Sequence, residues 1–206
     1  MLAWNRWLFL SLNASDHPNP LTVLTADFAA QALVFVALVV AAGLWIWGTP
    51  SRRGALLAVA IAAAIALGVN QLLGLLWFEP RPFMIDLGHT LLAHVPENSF
   101  PSDHATLVWA IGAGLIATGA SVPGGAVVTA IGLVIAWARI YLGLHFPIDM
   151  ATSALVAACG GALARASQPP VERMLLPVTE AIYERALRLL GLPAAVFPRR
   201  VGPPVG

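Results

Sequence analysis

Five long apolar runs constrain the fold of this chain more than any other feature. Each is close to the roughly 20 residues that an α-helix needs to cross the hydrocarbon core of a bilayer. Of the 206 residues, 59% are hydrophobic and 10% are charged, whereas about 25% of the residues in a soluble domain are charged. The sequence therefore predicts an all-α fold, a polytopic membrane helix bundle. Its five expected spans cover roughly 24–47, 55–78, 104–120, 123–142 and 147–165.

The two ends of the chain differ from this membrane domain, which we place at 21–168. The apolar part of residues 1–20 is too short to span a bilayer, so a short interfacial helix is expected there. Pro169-Pro170 should break the last span, because proline cannot donate the helical hydrogen bond. The pattern then predicts a cytoplasmic segment, 169–206, with an amphipathic surface helix over 171–190 and a disordered tail rich in proline, glycine and arginine.

Counting spans assigns the connecting segments to sides of the membrane. Successive spans alternate in direction, so the long polar loop 79–103 and the stretch 138–149 share one face. Apart from the arginines inside those two segments, that face carries only Arg6. Arginine-rich loops usually face the cytoplasm, so the polar face should point outward. The opposite face carries Arg52, Arg53, Arg165, Arg173, Arg185, Arg188, Arg199 and Arg200.

Polar residues of this outer face indicate a phosphate site. Arg81 and Arg139 each present a planar fork of donors that matches the oxygens of a phosphate ester. Ser102 follows Pro101 at the expected start of a span, which is an N-cap position. Free backbone N–H groups at a helix N-terminus favour anions, so this segment should face the same phosphate.

Two histidines on the same face supply possible chemistry. His145 and Asp149 are four residues apart at the start of a span, so the carboxylate can accept one ring N–H and leave the other nitrogen free. This is the pattern of a nucleophile with an orienting partner. His104 lies on another helix and can protonate a leaving group. The spacing alone favours His145 as the nucleophile only slightly.

Simpler interpretations of these residues remain open at this point. His145 and Asp149 could form a structural hydrogen-bonded pair, or could ligate a metal together with His104 and Asp103. Two nearby arginines would repel a cation, so no metal and no other cofactor is expected. The arginines could also be interface anchors. Four further loop groups are interpreted as solvated: Asp86, His89, His94 and Glu97.

Three segments match sequence motifs of a known family in order and spacing. The motifs are KxxxxxxRP, PSGH and SRxxxxxHxxxD, and they correspond to residues 74–82, 101–104 and 138–149. On these residues the chain resembles the type-2 phosphatidic acid phosphatases, which are membrane lipid phosphatases. The resemblance covers about residues 24–165.

The chain departs from the motifs at three positions. Gly74 stands in place of the lysine, Asp103 in place of the glycine and Ala138 in place of the first serine. The first two departures, with the strings FEPRPF and FPSDH, resemble the bacitracin-resistance subgroup of undecaprenyl pyrophosphate phosphatases. We expect Asp103, an anion close to a phosphate site, to pair with an arginine.

The resemblance implies a function, a location and roles for individual residues. It implies dephosphorylation of the lipid carrier of cell-wall synthesis, in a bacterial inner membrane, with the site facing the periplasm or exterior. His145 would form a phosphohistidine, His104 would act as acid and then base, and Asp149 would orient His145. The phosphate would be held by the remaining site residues, namely Arg81, Arg139, Ser102 and Asp103.

Other functions remain possible from the sequence. The nearest is a phosphatase for another lipid, such as phosphatidylglycerophosphate, phosphatidate or lipid A. A non-catalytic transporter or permease component is a second, although the set of His104, His145 and Asp149 argues against it. Membrane lipids and a polyprenyl pyrophosphate are the expected partners, nucleic acid is not, and the oligomeric state is not indicated.

Overall fold

The computed structural model describes residues 2–193, 196 and 197, and this part of the chain is helical without any strand. The all-α membrane fold expected from the apolar runs is therefore confirmed. A 3-10 turn at Pro82–Ile85 interrupts the long polar loop. The α-helices are α1 (Ala3–Leu12), α2 (Pro20–Ile46), α3 (Pro50–Leu76), α4 (Asp103–Ala117), α5 (Val122–Tyr141) and α6 (Pro147–Leu189).

Four of these helices, α2, α3, α5 and α6, are long and apolar enough to cross a membrane. The fifth expected span corresponds to α4, which has 15 residues and is shorter than the usual crossing length. The exact number of five spans therefore stays a prediction.

Local sequence signals explain where the long helices begin. Asn19, Thr49 and Ser121 are N-cap residues whose side-chain oxygens accept hydrogen bonds from backbone N–H groups of the first turn. A proline follows each of them within two residues, where its missing N–H costs nothing and its fixed φ suits a helix. Such caps define the first turns of α2, α3 and α5.

Small residues bring α4 close to both of its neighbours. A Cβ atom on Gly125 of α5 would lie 2.7 Å from the carbonyl oxygen of Gly112 in α4. A Cβ atom on Gly161 of α6 would lie 2.9 Å from the Cβ of Ala113 in α4. Neither contact leaves room for a larger side chain, so α4 packs almost backbone to backbone between α5 and α6.

The last helix corrects the expectation of a break at Pro169-Pro170. Helix α6 runs for 43 residues through both prolines and through Pro177, so the segment after 169 is a continuation of α6 and not a separate surface helix. Tertiary contacts override the local cost of proline. Glu180 pairs with the fully buried Arg53 of α3 at 3.0 Å, and the Tyr183 ring lies 3.9 Å from the Arg53 guanidinium carbon. Most of the expected disordered tail lies outside the described residues.

The alternating directions of the helices bring the predicted site residues together at one end of the bundle. The C-terminal ends of α3 and α5 meet the N-terminal ends of α4 and α6, as span counting predicted. The short helix α1 packs beneath this end, where Phe9 contacts Phe146 edge to face with ring centroids 5.2 Å apart. The buried Asn5 side chain accepts a hydrogen bond from the Ile148 backbone N–H at 3.0 Å. Helix α1 therefore supports the start of α6.

Candidate active site

A polar cavity of about 420 Å³ opens at this end of the bundle. Helix α3, the polar loop and the ends of α4 and α5 form its wall. Of the residues predicted from the sequence, the cavity is lined by Arg81, Asp103, His104, Arg139 and His145. The structure thus brings the three motif segments together around one space.

Two arginines converge on one nitrogen of His145. Arg81 Nη1 lies 3.0 Å and Arg139 Nη2 lies 3.4 Å from His145 Nε2. All three side chains are at least 95% buried. A guanidinium group can only donate hydrogen bonds, so Nε2 must be the acceptor and the ring proton must be on Nδ1. The unprotonated Nε2 therefore faces the cavity between two cationic groups.

The other ring nitrogen is held by a carboxylate and a serine. His145 Nδ1 lies 3.2 Å from Asp149 Oδ2, which also accepts hydrogen bonds from the Phe146 backbone N–H at 2.8 Å and from Ser99 Oγ at 2.5 Å. Asp149 is in the first turn of α6, and its bond to Phe146 forms half of a capping box. The local structure that begins α6 thus fixes the orientation of the histidine.

The surroundings keep the His145 ring neutral. Burial lowers the pKa of His145 well below its usual value, and the positive charges of Arg139 and Arg81 lower this pKa further. Burial also lowers the pKa of Arg81, whereas the Glu97 carboxylate, 3.1 Å from the guanidinium group, raises it. A neutral imidazole next to charged guanidinium groups combines a nucleophile with an anion-binding site.

The expected pairing of Asp103 with an arginine is wrong. Its two carboxylate oxygens accept hydrogen bonds from Asn70 Nδ2 at 3.0 Å and from Gln71 Nε2 at 2.9 Å. Both amides belong to α3, whose last turns lie beside the first turn of α4. Because two neutral amides bind the Asp103 carboxylate, it does not draw Arg81 and Arg139 away from the expected phosphate position. Both arginines stay directed at His145.

Ser102 and Ala138 contribute to the scaffold of the site. Ser102 is at the N-cap position of α4, as predicted, but its side chain makes no capping hydrogen bond, is fully buried and does not line the cavity. Its backbone N–H donates to Ser153 Oγ at 3.0 Å, which ties α4 to α6. Ala138 is fully buried in an apolar cluster with Ala30 and Leu142, an environment that suits a methyl group better than the motif serine.

Three residues near the site were not assigned by the sequence analysis. Ser99 lies beside a matched motif but had no partner at a recognisable spacing. Glu97 and His94 were interpreted as solvated loop groups, yet both line the cavity, and Glu97 pairs with Arg81. Burial lowers the pKa of His94. A polar loop sequence does not reveal which of its side chains fold back over a site.

The fold and the site define a class of protein: a polytopic membrane protein with a buried, neutral histidine between two arginines. The PAP2 superfamily profile matches residues 54–172, which is more than half of the chain. The chain belongs to the PAP2 superfamily.

Known relatives cover most of the chain. It is 35% identical over 146 residues to the putative undecaprenyl-diphosphatase YbjG of Escherichia coli, covering 71% of this chain and 73% of the relative. It is 32% identical to the undecaprenyl-diphosphatase BcrC of Bacillus subtilis, covering 74% and 78%. The crystal structure of Aquifex aeolicus LpxE superimposes with a TM-score of 0.59 at 25% identity, covering 79% of this chain and 95% of that one.

Proposed function

We propose that this protein is an undecaprenyl-diphosphate phosphatase, a membrane enzyme that removes the terminal phosphate of undecaprenyl pyrophosphate. The observation that carries the proposal is the Nε2 atom of His145, which is unprotonated and lies within 3.4 Å of both Arg81 and Arg139. A terminal phosphoryl group held by the two arginines would have its phosphorus next to this nitrogen. The relatives YbjG and BcrC, which bear the undecaprenyl-diphosphatase name, support the choice of substrate.

The first chemical step would transfer the terminal phosphoryl group to His145. Nε2 attacks the terminal phosphorus, an N–P bond forms, and the bond from that phosphorus to the bridging oxygen breaks. His104, which lines the same cavity, gives a proton to the bridging oxygen, and undecaprenyl phosphate leaves. Arg81 and Arg139 stabilise the negative charge on the transferring oxygens, while Asp149 stabilises the ring as it becomes positive.

The second step would restore the enzyme. His104 takes a proton from water, the water oxygen attacks the phosphorus of the phosphohistidine, and the N–P bond breaks. Inorganic phosphate is released and His145 returns to its neutral form. Both steps use only side chains of this chain and one water molecule, so activity should persist in the presence of a chelator.

An apolar groove beside the cavity suits the lipid part of this substrate. The groove has a volume of about 680 Å³ and shares Phe100 with the polar cavity. Helix α3 contributes Leu73 and Leu76 to it, and α6 contributes Ile148. A lipid with its pyrophosphate in the cavity could lay its first isoprene units in this groove, where their burial is favourable.

The charge distribution supports an orientation for this proposed enzyme. The arginines of the connecting segments are concentrated on the face opposite the site, which favours a bacterial inner membrane with the site facing the periplasm or exterior. This orientation agrees with a role in recycling the lipid carrier of cell-wall synthesis, and with resistance to bacitracin. We infer it from sequence and charge.

A substrate panel tests the proposal. The purified protein is assayed for phosphate release from undecaprenyl pyrophosphate, phosphatidylglycerophosphate, phosphatidate and lipid A, each with and without EDTA. We expect the highest kcat/KM for undecaprenyl pyrophosphate, no effect of EDTA, and no release by His145→Ala. A higher kcat/KM for one of the other lipids would make that lipid the substrate and overturn the proposal.

A further inference from the structure

We propose that Asn98 and Gly74 form a matched pair that takes the structural place of the family lysine, and that Asn98 is a positioning residue for both halves of the site. Gly74 occupies the lysine position of the first motif and lines the cavity. Asn98 belongs to the polar loop and lines the cavity next to it. Neither residue was assigned a role by the motifs.

The side chain of Asn98 makes four hydrogen bonds with backbone groups. Its Nδ2 atom donates to the carbonyl oxygens of Gly74 at 2.9 Å and Trp77 at 3.0 Å. These carbonyls lie at the C-terminal end of α3, where Gly74 is in the last turn and Trp77 is the C-cap, and they have no helical partner. Its Oδ1 atom accepts from the N–H groups of Glu79 at 2.9 Å and Phe100 at 3.2 Å. The Asn98 amide therefore connects three segments: the end of α3, the segment at Glu79 and the segment at Phe100.

These segments carry the groups that surround His145. Glu79 is two residues before Arg81, whose guanidinium contacts Nε2 of His145. Ser99, between Asn98 and Phe100, contacts Asp149, and its backbone N–H donates to the Glu79 carbonyl oxygen at 2.9 Å. Asn98 thus fixes the phosphate-binding side and the histidine-orienting side relative to the end of α3. It acts through these residues and needs no contact with the substrate.

Gly74 provides the space that Asn98 occupies. A Cβ atom built on Gly74 would lie 3.0 Å from Asn98 Nδ2 and 3.5 Å from the Phe100 carbonyl oxygen. A methyl group would already crowd the amide, which would have to shift by a few tenths of an ångström. A lysine at position 74 would therefore strain the Asn98 hydrogen bonds. This explains why the motif lysine can be absent while the arginines and histidines of the site are kept.

The kinetic test is a double-mutant cycle on these two positions. Asn98→Ala and Gly74→Lys should each lower kcat about tenfold or more, because small displacements of reacting groups have effects of this size. In the Asn98→Ala background, Gly74→Lys should raise kcat/KM, because the lysine can enter the vacated space and contact phosphate. Gly74→Met in the same background has similar length without charge and should give no such gain.

A glycine control separates this effect from helix propensity. Gly74→Ala should lower activity through crowding of Asn98. Gly68→Ala makes the same change in the same helix, at a position where nothing lies within 4 Å of the new Cβ, and should leave activity unchanged. If Gly74→Lys with Asn98 in place were as active as the wild type, or if Asn98→Ala had no effect, the proposal would be wrong.

A substrate-independent readout keeps the test valid if the proposed function fails. The kinetic arm rests on the proposed phosphatase function and uses whichever lipid phosphate the wild type hydrolyses fastest. Hydrogen exchange needs no substrate: Asn98→Ala should speed exchange at the amides of Glu79 and Phe100 while exchange in α5 stays unchanged. Unchanged exchange at both amides would overturn the proposed positioning role of Asn98. Faster exchange in Asn98→Ala, together with no turnover of any lipid by the wild type, would overturn the proposed function and leave the positioning role of Asn98 standing.

Discussion

Hydrogen bonds among two arginines, a carboxylate and a serine fix the orientation and the tautomer of the His145 ring. The arginines require Nε2 to be the acceptor, and Asp149 Oδ2 then receives the Nδ1 proton. Ser99 adds a bond to the same carboxylate oxygen. The sequence predicted the His145 and Asp149 pair from its spacing of four residues. It did not predict Ser99, because a serine in a loop has no periodicity that reveals its partner.

Removing the Ser99 hydroxyl should affect catalysis more than binding. Ser99→Ala deletes a hydrogen bond to a charged group, worth about 1.5–3 kcal/mol, so kcat should fall roughly 10- to 100-fold. KM should change little, because Ser99 does not line the cavity. Steady-state kinetics measure both constants, with Ser167→Ala near the other end of the molecule as the control. A large rise in KM at constant kcat would show that Ser99 binds substrate.

The ionisation of His145 gives a second test at this scale. Its lowered pKa means that the neutral form persists as the pH falls through 6.5, the usual histidine value. In ¹⁵N-labelled protein, the His145 ring should therefore keep the shifts of the Nδ1-protonated tautomer at pH 6, whereas an exposed histidine is largely protonated. Arg139→Gln should raise the His145 pKa, because one positive neighbour is lost. Titration of wild-type His145 at or above pH 6.5 would contradict this account.

Among the elements, α6 differs most from what its sequence indicates. Three prolines in its second half argue for a break, and local rules contain no information about Arg53 on α3, 127 residues from Glu180. The ion pair and the Tyr183 ring lie at the end of the bundle opposite the site. They hold the second half of α6 against α3. Helix α6 is therefore anchored at both ends, here and at its start, where Asp149 caps it.

Breaking this ion pair should destabilise the whole bundle. Glu180→Leu leaves the buried Arg53 charge without its carboxylate, which typically costs about 3–5 kcal/mol. Thermal unfolding in detergent should show a clear decrease in Tm, and the double variant Arg53→Met with Glu180→Leu should recover part of it. Glu184→Ala, one turn further along α6 in a partly exposed pair with Arg188, should change Tm little. An unchanged Tm for Glu180→Leu would show that the pair does not anchor α6.

The groove between α1, α3 and α6 predicts a dependence on lipid length. Trp77 at the end of α3 lines this groove and is 63% exposed. Trp77→Ala should lower kcat/KM for undecaprenyl pyrophosphate about tenfold, since about 1.4 kcal/mol is close to the low end of what burial of a large apolar side chain contributes. Isopentenyl pyrophosphate, whose single isoprene unit reaches only the start of the groove, should be affected less. Trp47→Ala, at the corresponding end of α2, is the control; equal losses for both substrates would argue against the groove as the chain site.

For the whole molecule, the order of apolar runs and polar segments contained most of the architecture. Alternation of the spans was enough to bring Arg81, His104 and His145 to one end, and the structure agrees. The sequence could not predict contacts that depend on the rotation of one helix against another. Asp103 is the clearest case: its expected arginine partner is replaced by Asn70 and Gln71, which face it only because α3 and α4 pack in one register.

The central claim is that His145 accepts the phosphoryl group, and trapping it tests this most directly. His104→Asn removes the acid of the first step and the base of the second, and it should slow the second step more, because a phosphate leaving group can depart without a proton whereas the attacking water needs a base. Rapid quenching after mixing with undecaprenyl pyrophosphate labelled with ³²P at the terminal phosphate should therefore leave label on the protein. We predict label on His145 that is stable in base and lost in acid, and none in the His104→Asn, His145→Ala double variant. Phosphate release by His145→Ala at the wild-type rate, or label on another residue, would contradict the account.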